Sequence, residues 1–262
     1  MEDSFEHALR IRSYEVDCTG SVKPAALFNF LQDAAVSHVK QLGLSVSDLR
    51  KMNLTWVISR FHLRLFHYLR SNARITVRTW PSTCEGFFSC REYEILDDAG
   101  TVIALATSSW AAVNLDSRRP VRLKDHLPDF PLRPERAIED SFPSLPAPCT
   151  IDHEQRFRVR RSDLDINCHV NHAVYVDWMV ETVPAHITAG YRLAEIEVGF
   201  RGEALYGDKL VCRCGIVSVT PEYVQCTHQL VNEANGKELT RFRSVWRPLT
   251  IAGGETGGGN VG

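Results

Sequence analysis

The pattern of hydrophobic and polar positions changes period twice along the chain and predicts two series of elements in the same order. Apolar residues recur at helical spacing from Pro24 to Gly43, which predicts one long helix. Alternation with polar residues then predicts strands at 56–69, 73–80, 86–96 and 102–113. The second series has a strand at 155–161, a helix from about His172 and strands at 194–205, 209–219, 223–231 and 238–248. Residues 1–10 are expected to fray, and 12–17 to form a short strand.

A proline-rich stretch separates the two series. Six of the twelve prolines lie between Pro128 and Pro148, where no period persists, so we expect an extended linker. The predicted organisation is therefore an N-terminal domain at 1–127, a linker at 128–150 and a C-terminal domain at 151–250. The glycine-rich residues 251–262 are expected to form a disordered tail.

The two series match as an internal repeat. Ile75 and Leu210 are 135 residues apart, and Asp17 and Asp163 are 146 apart. Each half is predicted to be a long helix packed against a curved four-stranded antiparallel sheet, so the chain resembles a homodimer fused into one polypeptide. The fold class is α+β.

The polar stretch 162–175 (SDLDINCHVNHAVY) concentrates groups that suit catalysis. Every second position from Asp163 to Asn171 is polar, so in an extended chain these side chains would share one face and the apolar residues between them would be buried. Asn171 can cap the following helix. A carboxylate and a histidine at a helix N-terminus can act on a carbonyl, because the helix amides stabilise developing negative charge.

The repeat assigns the chemistry to the second half. An offset of 146 places Asp165, Asn167 and His169 opposite Thr19, Ser21 and Lys23, and an offset of 135 places Glu203 opposite Tyr68. The N-terminal half would then keep the scaffold without acid–base groups and be free to hold another part of a substrate.

Other interpretations of these residues are weaker or stay open. A calcium loop requires glycine at its sixth position, where this chain has Cys168. A zinc site is not supported, because His169 and His172 have no companion ligand at a known spacing. On the residues alone, Asp165 and Asn167 could simply cap a turn, with His169 in the core.

Two side chains near this stretch have competing interpretations. Strand alternation would turn Cys168 away from His169, which favours a buried thiol over a nucleophile. Glu203, in 200–208 (FRGEALYGD), is either an exposed carboxylate at a strand end or a base brought onto the His169 site. The basic clusters at 118–124 and 156–161 are interpreted as solvated surface, with docking to an acidic partner as the alternative.

Charge and cysteine content narrow the class of protein. The net charge of -2 gives no indication of nucleic-acid or membrane binding, and no apolar run is long enough to span a bilayer. The N-terminus has no hydrophobic signal-peptide core. We therefore expect a cytoplasmic protein whose eight cysteines are reduced.

Taken in order, these motifs resemble the acyl-ACP thioesterase family, plant and bacterial enzymes that end fatty-acid synthesis. The resemblance extends from about Tyr14 to Pro248. It rests on the strand that ends in Trp80-Pro81 and on four further segments: 53–68 (NLTWVISRFHLRLFHY), 108–123 (SSWAAVNLDSRRPVRL), 162–184 (SDLDINCHVNHAVYVDWMVETVP) and 200–208. It implies two tandem hotdog domains, each a long helix wrapped by an antiparallel sheet. Two departures are Ala204, where plant members carry cysteine, and His172, where they carry a second asparagine.

The resemblance implies hydrolysis of the thioester of fatty acyl-ACP, which releases a free fatty acid and holo-ACP. Asp165, Asn167, His169 and Glu203 match the family's active-site positions, the partner is acyl carrier protein, and neither a metal nor a cofactor is expected. We expect direct attack by water. An acyl-CoA thioesterase of the same fold and a non-catalytic acyl-binding protein remain alternatives, and the oligomeric state stays open, with a homodimer as one expectation.

Overall fold

A computed structural model describes residues 3–249 and contains one ten-stranded antiparallel sheet. The strand order is β1-β3-β4-β5-β2-β7-β10-β9-β8-β6. The strands are β1 Phe5–Arg10, β2 Leu54–Leu65, β3 Arg74–Glu85, β4 Phe88–Asp97, β5 Val102–Asn114, β6 His153–Arg158, β7 Tyr191–Phe200, β8 Lys209–Val219, β9 Val224–Asn232 and β10 Glu238–Pro248. The two halves of the chain meet in the middle of the sheet, where β2 pairs with β7.

Two long helices contact each other on one face of this sheet. The helices are α1 Pro24–Gln41, α2 Val46–Lys51, α3 Leu123–His126, α4 His172–Glu181 and α5 Ala185–Gly190. Proline at its first position suits the start of α1, and Gly43 at φ +69 follows its end. Both α1 and α4 bury apolar residues in one continuous core with the sheet. Among residues 3–249, no helix combines the length and hydrophobicity needed to cross a membrane.

The proline-rich stretch covers the opposite face of the sheet. Neighbouring residues on β4 show the two faces, because Arg91 donates to His38 of α1 whereas Glu92 accepts from Arg136 of the stretch. Further along, Asp140 bonds His62 on β2. Residues 128–150 contain neither helix nor strand, yet they are tied to strands of both halves.

Most of the predicted elements are confirmed, and two predictions near the N-terminus are wrong. Residues 5–10 do not fray: they form β1, which pairs with β3 from Phe5↔Thr79 to Arg10↔Arg74. Residues 12–17 form no strand but contain a single 3-10 turn, Ser13–Glu15. The predicted tail at 251–262 lies outside the described residues.

The repeat is present, but the predicted offset of 146 is wrong for the segment before the helices. The turns Ser13–Glu15 and Arg161–Asp163 are 148 residues apart, and so are the isolated bridges Val16↔Val22 and Leu164↔Val170. The offset of 135 holds for the strands, since Ile11 N donates to Ala73 O and Val159 N to Asp208 O. Asp17 therefore corresponds to Asp165 and not to Asp163. The predicted match rested on a shared residue type, whereas the hydrogen-bonding pattern of the backbone shows which positions are equivalent.

Candidate active site

The stretch between the 3-10 turn and α4 is a tight loop, so the predicted strand alternation is wrong. The Leu164↔Val170 bridge closes the loop. Asp163, expected beside the other polar groups, is buried and pairs with Arg160, whereas apolar Ile166 is 81% exposed. Alternation fails because Cys168 adopts φ +62, which no extended strand contains.

The carboxylate of Asp165 organises this loop. Its Oδ1 accepts from the backbone N–H of Asn167 at 2.8 Å and of His169 at 3.2 Å. Its own N–H donates to the carbonyl of His169 at 2.7 Å. An Asx side chain that binds residues two and four further on holds a turn in one conformation. Asp165 therefore fixes the backbone of the residues on either side of Cys168.

The thiol of Cys168 is exposed, which contradicts the expectation of a buried cysteine. The expectation came from alternation along a strand, and the loop removes that basis. The equivalent residue in the first half is Gly20, at φ +76. Glycine adopts a positive φ without steric cost because it has no Cβ, whereas a cysteine does so at a cost in energy. The hydrogen bonds of the surrounding turn therefore hold Cys168 in this conformation.

His169 and Glu203 are brought together from positions 34 residues apart. His169 Nε2 lies 3.5 Å from Glu203 Oε2, with side-chain exposures of 26% and 50%. Glu203 follows β7 in the connection to β8 and is not part of a strand. This separation is longer than an ordinary hydrogen bond, and both side chains are partly open to solvent, so water can reach both groups.

A backbone clamp holds the two loops in this position. Val170, next to His169, donates its N–H to the carbonyl of Ala204, next to Glu203, at 3.1 Å. The N–H of Ala204 donates to the hydroxyl of Tyr175 on α4 at 3.0 Å. Burial raises the pKa of Tyr175, so its hydroxyl stays neutral. Tyr175 was not found from the sequence, although it lies one helical turn beyond Asn171 in the same motif.

Asn167 is linked to the other half of the chain. Arg50 on α2 donates to Asn167 Oδ1 at 3.0 Å. Because the oxygen of the amide is occupied by a cation, its NH2 group is left to face other partners. No pattern in the sequence connects Arg50 with this loop, since 117 residues separate them.

The start of α4 lies beside the loop. Asn171 caps it as predicted, accepting from Ala173 N at 3.0 Å. The ring of His172 packs among Phe28, Phe61 and Phe200. Burial lowers the pKa of His172 to about 4, so this imidazole is neutral. Its Nε2 makes no hydrogen bond within residues 3–249.

The first half repeats the turn without its reactive groups. Asp17 Oδ1 accepts from Thr19 N at 2.8 Å and Ser21 N at 3.1 Å, as Asp165 does at the equivalent positions. Thr19 and Ser21 are therefore the first-half equivalents of Asn167 and His169. The predicted equivalents, Ser21 for Asn167 and Lys23 for His169, are wrong. The predicted match of Glu203 with Tyr68 holds. The two groups of described side chains spaced to share a metal ion both lie outside the second-half turn.

Comparison with known proteins gives one consistent result. The family model for the acyl-ACP thioesterase N-terminal domain matches residues 2–129, and the model for the C-terminal domain of the same family matches residues 147–248. Together they span both halves on either side of the proline-rich stretch.

Individual relatives agree with these models. The chain is 29% identical to an oleoyl-acyl carrier protein thioesterase of Arabidopsis thaliana, over 94% of this chain and 78% of that protein. The structure superimposes on the 12:0-ACP thioesterase from Umbellularia californica with a TM-score of 0.81 and 26% identity, covering 94% of each chain. It superimposes on an acyl-ACP thioesterase from Bacteroides thetaiotaomicron with a TM-score of 0.80 and 25% identity, covering 94% of this chain and 98% of the other.

Proposed function

The chain belongs to the acyl-ACP thioesterase family, and on this basis we propose that it hydrolyses the thioester of fatty acyl-ACP, releasing a free fatty acid and holo-ACP. The observation that carries the proposal is the His169–Glu203 pair, whose histidine shares with Asn167 the loop held by Asp165. Acyl carrier protein bearing a fatty acyl chain is then the macromolecular partner.

The repeated halves support a tandem pair of hotdog domains in one chain. The first domain extends over residues 1–127 and the second over 151–250, with 128–150 as the linker between them. The N-terminal domain holds the acyl chain, against the buried residues Leu27, Phe30 and Leu31 of α1, and the C-terminal domain carries the chemistry.

In the reaction, Glu203 takes a proton from water as the water oxygen attacks the thioester carbon. Asn167 and His169 donate to the carbonyl oxygen as it becomes negative. When the tetrahedral intermediate collapses, the carbon–sulfur bond breaks and the carrier thiolate takes up the proton from Glu203. One such oxyanion donor is worth about 2.7–4 kcal/mol, and a general base about 10²–10⁴ in rate.

Three further residues position these groups. Asp165 fixes the loop that carries Asn167 and His169, and it acts through hydrogen bonds to the backbone. Tyr175 holds the backbone next to Glu203. Arg50 occupies the oxygen of the Asn167 amide, so that the amide presents NH2, the group a developing oxyanion needs.

Turnover of matched acyl-ACP and acyl-CoA series tests the assignment. We expect kcat/KM for acyl-ACP to exceed that for acyl-CoA of the same chain length, because the carrier adds contacts that CoA lacks. Preference for CoA would instead identify an acyl-CoA thioesterase. Binding of both without hydrolysis would identify an acyl-binding protein, and His169→Ala would then leave the protein's behaviour unchanged.

A further inference from the structure

A second cluster of reactive side chains lies in the core of the C-terminal half, away from the His169–Glu203 pair. Cys214 on β8 is paired across the ladder with His228 on β9, and Cys226 lies two residues before His228 on the same strand. All three are completely buried. One ligand atom from each lies within 4.8 Å of the other two.

The imidazole of this cluster is fixed in orientation and has one nitrogen without a partner. His228 Nε2 hydrogen-bonds Ser244 Oγ at 2.9 Å, and Trp246 Nε1 donates to the same oxygen at 2.9 Å. His228 Nδ1 has no hydrogen-bond partner in the described part of the chain, although it is buried. When Nε2 carries the proton of a neutral imidazole, Nδ1 has a free lone pair that can bind a metal.

The spacing of the two sulfurs suits a shared metal ion. Cys214 Sγ and Cys226 Sγ lie within 4.8 Å of each other. In a tetrahedral site with zinc–sulfur bonds of about 2.3 Å, two thiolate sulfurs are about 3.8 Å apart, which falls within that limit. We propose that Cys214, Cys226 and His228 bind a zinc ion.

Charge balance favours this ion over a harder or less charged one. Two thiolates and a neutral imidazole bring a charge of −2, so one Zn²⁺ gives a neutral complex that the apolar core can hold. The hydrogen bond from His228 Nε2–H to Ser244 would set the tautomer that leaves Nδ1 free for the metal, the usual arrangement for a ligating histidine.

The first half carries a different cation at the equivalent position. The offset of 135 places Thr79, Arg91 and Tyr93 opposite Cys214, Cys226 and His228. The guanidinium of Arg91 donates to Thr79 Oγ1 at 3.2 Å and to His38 Nδ1 at 3.1 Å. In the first half, the guanidinium of Arg91 therefore places a positive charge between the sheet and α1. A zinc ion would place a positive charge at the equivalent position of the second half.

Metal content and cobalt spectra of the reduced full-length chain test the proposal without any activity measurement. After refolding with Zn²⁺ and dialysis, we expect about one zinc per chain in the wild type and in Cys212→Ser, which removes a buried thiol of the same strand that is not part of the cluster. Cys214→Ser and Cys226→Ser should each retain less than about a tenth of that amount. Co²⁺ should give the wild type a thiolate-to-cobalt charge-transfer band.

Two results would overturn the zinc site. One is a wild-type chain that refolds with neither retained zinc nor the cobalt band, which decides the matter even if a serine variant fails to fold. The other is equal metal loss in Cys212→Ser and Cys214→Ser, with circular dichroism showing both to be folded, since that would mean non-specific binding.

Discussion

Asp165 and Asp17 occupy the same position in two copies of one turn, and each accepts N–H bonds from the residues two and four further on. In the first copy those residues are Thr19 and Ser21, and in the second Asn167 and His169. A carboxylate that is present in both halves, but beside reactive groups in only one, has a role in the turn that does not depend on catalysis.

This relationship predicts different outcomes for matched substitutions. Asp165→Ala and Asp17→Ala each remove two hydrogen bonds to the backbone, so each should lower the free energy of unfolding by about 1–3 kcal/mol. Only Asp165→Ala should also lower kcat, by tenfold or more, because it loosens the loop that holds His169. Urea unfolding and turnover of acyl-ACP measure the two effects. Equal loss of activity in both variants would contradict the division of labour between the halves.

The hydroxyl of Tyr175 offers a sharper test of positioning. Tyr175→Phe keeps the ring in the core but leaves the N–H of Ala204 without its partner, so Glu203 loses one support. We expect kcat to fall about tenfold or more, with KM for acyl-ACP within about twofold of wild type. Tyr68→Phe is a control for the loss of one largely buried tyrosine hydroxyl, because the Tyr68 hydroxyl donates to a different carbonyl, that of Leu193 on β7. A Tyr175→Phe enzyme with full kcat would show that the bond has no catalytic consequence.

The sequence predicted the regular part of the fold well because its signals are local. The bounds of β8 and β10 follow from alternation that ends at turn residues, and α1 begins at its proline. β1 was missed because an edge strand acquires its structure from a partner about 70 residues away, and short local patterns carry no trace of that pairing.

The candidate site was predicted only in part, for a similar reason. His169 and Glu203 were found through their motifs, but their contact depends on a bond between Val170 and Ala204. Arg50 comes from the other half and leaves no signature near residue 167. The loop was predicted as a strand because alternating polarity was read as extended backbone, and one residue at positive φ is enough to break that pattern.

Glu203 is the group expected to activate water. Glu203→Gln keeps the shape of the side chain and removes the base, so kcat should fall by on the order of 10² or more with the thermal unfolding midpoint unchanged. Glu222→Gln, on the turn before β9, is a control for the loss of one exposed carboxylate. Full activity of Glu203→Gln at saturating acyl-ACP would exclude it as the base.

The exposed thiol of Cys168 makes the choice of nucleophile testable by a substitution that the repeat suggests. Cys168→Gly introduces the residue found at the equivalent position of the first half, so the positive φ is accommodated. Glycine relieves the backbone strain of the folded state, which stabilises it, but glycine also has more conformational freedom in the unfolded state, which destabilises the fold. Because these effects oppose each other, the free energy of unfolding should stay within about 1 kcal/mol of wild type. Activity should be retained if water attacks directly. Loss of activity in the folded variant, or an acyl group trapped on Cys168 and seen by mass spectrometry, would indicate a covalent mechanism.

The buried ring of His172 should make stability depend on pH. Its pKa is about 4 in the folded chain and near the ordinary 6.5 when unfolded, so between these values the unfolded state binds more protons. Stability from this residue is therefore fully present above pH 6.5 and is lost as the pH falls towards 4, by about 2 kcal/mol at pH 5. Urea unfolding gives the free energy of unfolding at pH 7.5 and at pH 5, and the difference between the two values should be smaller in His172→Asn by the contribution of this residue. His126→Asn, at an exposed position, should leave that difference unchanged. Proton uptake on unfolding at pH 5, measured in weakly buffered solution, should fall in the same variant, and an unchanged uptake would mean that the imidazole is already charged in the folded protein.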